Sequence, residues 1–198
     1  MALSREDQLH LDSLQRKLQI VRDRTRSVAK GYRNGLHLWG EGGIGKSYSV
    51  LSELDHVTAN YVLHNSRITG RALFDTLKEY PDQVHVIEDC EPLFGDHNAR
   101  CVLRSAMWGQ MNTEHRQERP VTWGIFPEQM SFCFDGGIIM ISNRPLDNVS
   151  ELRAIQSRIP TLQLTASNPE LAALMRWVSE DGFRVLLRKR DMKSLSPA

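Results

Sequence analysis

The chain has 198 residues, 40% of them hydrophobic and 25% charged, with a formal net charge of +1. That length supports one sizeable core, or an α/β domain with a small appendage, and that charge excludes a global basic field, so any nucleic-acid contact has to be local. Three cysteines, Cys90, Cys101 and Cys133, form no CxxC pair and no zinc-like spacing with histidines, which fits a reducing compartment rather than a disulfide scaffold.

The polar N-terminus lacks the apolar run of a signal peptide, and no stretch approaches the roughly 18 apolar residues of a membrane span, so a cytoplasmic protein with no membrane partner is expected. Residues 4–30 read as a helix, because Leu11, Leu14, Leu18 and Val21 recur at spacings of three and four. A buried strand is expected over 35–39, a helix over 47–55, a short strand over 61–63 and a helix over 69–80 that stops at Pro81. A strand over 84–87 and a helix over 95–110 follow. Residues 111–120 are a polar connection. Residues 121–123 and 131–134 can pair as a hairpin around Pro127. Residues 137–142 form the most apolar strand, followed by a helix over 148–156, a strand over 161–164 and a helix from Pro169 to about Asp181. Alternating strands and helices imply a mostly parallel sheet covered on both faces, with its ligand site beyond the C-terminal ends of the strands.

Gly40-Glu41-Gly42-Gly43-Ile44-Gly45-Lys46-Ser47 fits G-x-x-x-x-G-K-[ST] at every defined position, and it lies between an expected strand and an expected helix. Glycines let the backbone turn its N–H groups toward an anion, and the following helix presents its positive end to phosphates. Lys46 then reaches the β- and γ-phosphates, and the Ser47 hydroxyl ligates Mg²⁺. Tyr48, next in the chain, is included in the candidate nucleotide site, and the expected ligand is ATP or a related triphosphate with Mg²⁺.

The strand over 84–87 ends in Glu88 and Asp89. A triphosphate site needs one acid to hold Mg²⁺ and a second to orient or deprotonate the attacking water, and neighbouring side chains at a strand end diverge enough to do both. Here the chain resembles a family. Glu88-Asp89-Cys90-Glu91-Pro92-Leu93-Phe94 is similar to the Asp-Glu-Ala-Asp-x-Leu-Phe segment of AAA+ ATPases. The resemblance implies that Glu88 takes the metal-binding place and Asp89 the catalytic carboxylate's place, in inverted order.

The apolar strand over 137–142 runs into Asn143 and resembles the sensor 1 strand of that family, whose asparagine sits between the γ-phosphate and the acidic strand. The segment Leu152-Arg153-Ala154-Ile155-Gln156-Ser157-Arg158-Ile159 is similar to the Ser-Arg segment of clamp-loader-like members. The resemblance implies that Arg158, or alternatively Arg153, is an arginine finger acting in a neighbouring subunit's site, and hence a nucleotide-dependent homo-oligomer. The helix from Pro169 resembles the start of an AAA+ lid, here short, with Arg184 as the candidate sensor 2 arginine.

The resemblance therefore implies a three-layer P-loop NTPase sandwich with a central five-stranded sheet and a small C-terminal helical lid. The corresponding division is an N-terminal helix over 1–34, an ATPase core over 35–165, and a lid with a basic tail over 166–198. The implied function is ATP hydrolysis coupled to remodelling or loading of a partner, with a nucleotide-dependent switch of little turnover as the alternative. DNA or a DNA-bound protein is the expected partner class. The segment carrying His115, Arg116, Arg119, Trp123 and Phe126 is either a backbone-tracking, base-stacking surface or a half-buried hairpin.

Overall fold

The computed structural model describes residues 3–65, 68–108, 110–111, 117–125, 127–146 and 150–179. In chain order the elements are α1 (Arg5–Ala29), β1 (Gly35–Trp39), α2 (Lys46–His56), β2 (Tyr61–His64), α3 (Gly70–Glu79), β3 (Val84–Ile87), α4 (Glu91–Gly95), α5 (His97–Met107), β4 (Gln110–Met111), β5 (Gln117–Glu118), β6 (Pro120–Trp123), β7 (Met130–Cys133), β8 (Gly137–Ser142), α6 (Ser150–Gln156), β9 (Thr161–Gln163) and α7 (Asn168–Trp177).

Five strands form one sheet in the order β2-β3-β8-β1-β9, every pair parallel. Helices flank it, so the fold is α/β, consistent with a three-layer sandwich. The three inner strands are buried almost throughout, β3 and β8 at every residue, which is why they read as mainly apolar runs, broken only by His37 in β1, His85 in β3 and the terminal Ser142 of β8. Alternation sorts their side chains between two faces. Ile138 and Met140 of β8 join Leu73, Phe74, Leu103 and Ile155 in the core under α3, α5 and α6. Gly137 of β8 instead faces α1, where an added Cβ would lie 2.4 Å from Val28 Cγ1. On that side, α1 is tied to α2 by Arg26 Nε donating to the buried Glu53 carboxylate at 2.7 Å.

The expected helix over 95–110 is α5, His97–Met107, and a separate five-residue helix, α4, precedes it. Asp96 separates the two, because its carboxylate accepts the Asn98 and Ala99 N–H groups and so starts α5, while also accepting the N–H of Gly70 at the start of α3. β6 and β7 pair antiparallel as the expected hairpin, with Val121 opposite Phe132. Trp123 and Phe132 pack on Phe74, with ring centroids 5.8 and 5.3 Å away. Within the expected polar connection, Gln110–Met111 and Gln117–Glu118 pair as a two-residue antiparallel ladder.

The chain divides into two compact units, residues 20–164, which hold the sheet, and residues 1–19 with 165–198. In the second, Ser167 starts α7 with a capping box, its hydroxyl accepting the Glu170 N–H and the Glu170 carboxylate accepting the Ser167 N–H. Lys17 Nζ lies 2.8 Å from both Glu170 oxygens, and Arg176 pairs with Asp7. Among the described residues no helix is long and apolar enough to cross a membrane.

Candidate phosphate-binding site

The loop over 40–45 leaves β1 at the C-terminal edge of the sheet. Gly40 has φ 153°, and a Cβ there would lie 2.0 Å from the Leu164 carbonyl oxygen, so only glycine fits. Gly43 and Gly45 have φ 79° and 88°, in the left-handed region. Gly42 is not in that region, and a Cβ on it would meet nothing within 4 Å. Ile44, 1% exposed, points its side chain inward and anchors the loop.

Gly45 then starts α2 without any side-chain cap, and no acidic residue occupies the helix's first turn. The N–H groups at this helix start are left for an external acceptor, with the positive end of the helix dipole behind them.

Lys46 is buried, at 7% exposed. Its ammonium donates to the Gly40 and Glu41 carbonyls, both at 2.7 Å, and to Asn143 Oδ1 at 3.2 Å. All three protons are used, and every acceptor is a neutral oxygen. Burial pushes the Lys46 pKa down, opposed by the Glu91 and then the Asp89 carboxylates. A cation held only by neutral oxygens can exchange them for phosphate oxygens with a gain in charge pairing.

Gly43, Lys46, Ser47, Glu88, Asp89 and Asn143 line one cleft of about 480 Å³, within the roughly 300–1,000 Å³ of small-ligand sites. Tyr48 also lines it, 56% exposed at the rim. Gly40, Glu41 and Ile44 shape the loop from behind.

Strand order explains the convergence. β8 lies between β1 and β3, so the residues that follow these three strands emerge side by side. The Glu88 N–H still pairs with His64 of β2 at 2.8 Å, whereas the Cys90 N–H pairs with Ile141 of β8 at 3.3 Å. Between them Asp89 takes φ 46°, a left-handed turn that aspartate tolerates better than most residues. This kink turns the chain into α4 and brings Glu91 beside Asn143, whose N–H donates to Glu91 Oε1 at 2.6 Å.

A second tie comes from below. The Ser142 hydroxyl donates to the Arg144 carbonyl at 2.6 Å, closing the turn around Asn143. That hydroxyl has no further proton, so the 2.8 Å contact with His37 Nε2 requires His37 to donate. His37 is fully buried, and burial lowers its pKa to about 4, which keeps the ring neutral. Its Nδ1 has no partner.

The donor set fits hydrated Mg²⁺, which keeps several waters and takes one or two carboxylates plus substrate phosphates. Glu88 supplies one carboxylate and Ser47 a hydroxyl to the same cleft. Among the described residues no group of three or more His, Cys, Asp or Glu could hold a metal by itself.

Other expected site residues are not in the cleft. Arg158 precedes β9, whose first residue pairs with His37 of β1, so it lies toward the N-terminal edge of the sheet. Its guanidinium sits 4.5 Å from the Trp108 ring centroid and donates to the Ala154 carbonyl. Arg153 is exposed on α6. Arg184, His115, Arg116 and Phe126 lie outside the described residues.

Arg119 is not available to a nucleic-acid backbone. At 5% exposed it donates to the Ala106 and Gly136 carbonyls at 2.9 and 2.6 Å and stacks 5.0 Å from the Phe134 centroid. It satisfies the carbonyl end of α5 and anchors the hairpin. Half-buried Trp123 packs on Phe74 beneath the Arg71 guanidinium.

Glu91, His37 and Ser142 have roles here that no motif in the sequence marks. Glu91 was legible only as part of the acidic segment, since its partner lies 52 residues away. The sequence matches no protein-family model and no curated protein.

Proposed function

We propose that this protein binds ATP with Mg²⁺ at residues 40–48 and hydrolyses it, coupling nucleotide state to assembly and to remodelling or loading of a partner. The observation that carries this reading is the uncapped start of α2 beside Lys46, whose ammonium has only neutral acceptors, in a cleft that also holds Ser47, Glu88, Asp89 and Asn143. A helix start without an internal cap, next to a buried cation, favours a multiply charged anion over any neutral ligand.

In this reading the loop N–H groups and Lys46 hold the β- and γ-phosphates. Ser47 and Glu88 hold the metal, which neutralises phosphate charge when bound. Asp89 orients or deprotonates the attacking water. Asn143 directs that water by its amide, adding no charge to a site already crowded with anions. The AAA+ resemblance supplies the rest of the proposal, with residues 166–198 as a short lid and a neighbouring subunit completing the site. Arg158 lies toward the opposite edge of the sheet from its own cleft. As a finger it therefore acts only in trans. DNA or a DNA-bound protein is the proposed partner class, and the cytoplasm the proposed location.

Particle size with and without a slowly hydrolysed ATP analogue, together with ATPase rate against protein concentration, tests the assembly. Wild type is expected to enlarge with nucleotide and to turn over faster at higher concentration, and Arg158→Ala to bind nucleotide with hydrolysis at least about 100-fold slower. A monomer under all conditions, with turnover independent of concentration, contradicts it. One observation favours a slow switch instead: the shorter carboxylate, Asp89, stands in the catalytic place on a left-handed backbone. Tight binding with negligible turnover in every assembled state selects that reading.

A further inference from the structure

We propose that Glu91 is a positioning residue, which fixes the Asn143 amide over the phosphate site by accepting the Asn143 backbone N–H. The inference rests on the phosphate-site reading for its consequence in turnover, but the contact itself does not depend on it.

Asn143 is the first residue beyond β8, so its N–H has left the sheet ladder. Residue 143 is exposed, and an exposed asparagine turn would otherwise sample several backbone and side-chain states, each of which must be given up when the amide is ordered. Three contacts remove that freedom. Lys46 holds the side-chain Oδ1 at 3.2 Å, Ser142 closes the turn onto the Arg144 carbonyl, and Glu91 Oε1 takes the N–H at 2.6 Å. Of these, the Lys46 contact is the one that nucleotide competes for, because phosphate oxygens draw the same ammonium. Once Lys46 turns to phosphate, Glu91 and the Ser142–His37 pair are what keep the amide in place. The Glu91 and Ser142 bonds are both 2.6 Å, shorter than the Lys46 contact at 3.2 Å.

A rival role for Glu91 is purely electrostatic, since it is the carboxylate that most favours the charged form of Lys46. Two conservative variants separate the roles. Glu91→Gln removes the charge but keeps an acceptor oxygen at the same reach. Glu91→Asp keeps the charge but withdraws the acceptor by one methylene.

Two readouts are taken on each, with thermal unfolding as a check that both fold. The first is hydrogen exchange at the Asn143 backbone amide without nucleotide. Wild type and Glu91→Gln are expected to protect it, and Glu91→Asp to lose that protection by about tenfold or more. The second is steady-state hydrolysis. Glu91→Asp is expected to lower kcat by about 10- to 100-fold with KM within about threefold, because displacing a positioned group by about 1 Å costs on that order, while Glu91→Gln stays within about threefold of wild type. The reverse ranking, with Gln impaired and Asp intact, overturns the proposal in favour of the charge. So does equal impairment of both variants, or no change in either. If wild type neither binds nor hydrolyses nucleotide, the phosphate-site reading fails, and amide exchange alone still decides whether Glu91 holds the turn.

Discussion

Helices α7 and α2 start in opposite ways. At α7, Ser167 and Glu170 satisfy each other's backbone N–H groups, and Lys17 neutralises the Glu170 carboxylate. Ser4, Thr69 and Asp96 likewise cap α1, α3 and α5 with side-chain oxygens. At α2 a left-handed glycine stands where those caps stand, the first turn carries no acid, and a buried lysine follows at once. A helix that exists only to pack gains about 1 kcal/mol from a capping side chain. Forgoing the cap at one long helix, while bending three glycines into left-handed backbone beside it, is what an anion site requires. Under the proposed function, the comparison separates a start built for stability from one built for an anion.

Substituting in the loop that leads to α2 and at the start of α7 breaks the comparison most forcefully. Gly40→Ala forces a Cβ onto the Leu164 carbonyl, and is expected to cost about 3 kcal/mol or more in urea unfolding and to abolish nucleotide binding. Ser167→Ala, at the other start, is expected to cost only about 1 kcal/mol and to leave nucleotide affinity within about twofold. Similar losses of stability, or a loss of binding from Ser167→Ala, contradict the contrast.

Acid sharpens it next, because the two regions carry different titrating groups. His37, in the strand that leads to the loop, has its pKa lowered to about 4 by burial. His85 is lowered to about 4 by burial as well, with its Nδ1 accepting from His64 Nε2 at 3.1 Å and its Nε2 donating to the Tyr80 carbonyl at 2.9 Å. The unfolded chain takes up these protons near pH 6.5, so stability of the sheet unit falls as pH drops below about 6.5, and the loss is complete below about 4, at up to about 2–3 kcal/mol per histidine. For Glu170, burial raises the pKa, but bonds from Lys17 and the Ser167 N–H outweigh it and hold the value at about 2. Its stabilisation is present above about pH 4.5 and lost as pH falls toward 2. Amide exchange against pH is expected to show β1 and β3 loosening between 6.5 and 4, with the start of α7 intact until lower pH. Simultaneous loosening contradicts these assignments.

How much of this was legible depends on how local the cause is. The bounds of β1, β3 and β8 follow from mainly apolar runs, because burial on both faces leaves little room for polar alternation. Lys46, Ser47, Glu88, Asp89 and Asn143 could be grouped because each follows a parallel strand, and a parallel sheet sends all such ends to one edge. The short helix α4 does not announce itself, since five residues give no helical periodicity. Arg119 reads as a surface cation, and nothing near it in sequence announces that the Ala106 and Gly136 carbonyls converge on it. Glu91, His37 and Ser142 were invisible for the same reason, as their roles exist only once β8 is inserted between β1 and β3.

The central claim is that the uncapped start of α2 and Lys46 form an anion site for a nucleoside triphosphate. Equilibrium titration of the protein with ATP and Mg²⁺, comparing wild type with Lys46→Ala, tests it most directly. Saturable one-site binding is expected for wild type, weakened about 100-fold in the variant, as befits loss of one buried charge-assisted contact of about 3 kcal/mol. The variant's unfolding midpoint is expected to stay within a few degrees of wild type. No saturable binding by wild type, or equal affinity in a folded Lys46→Ala, would contradict the account.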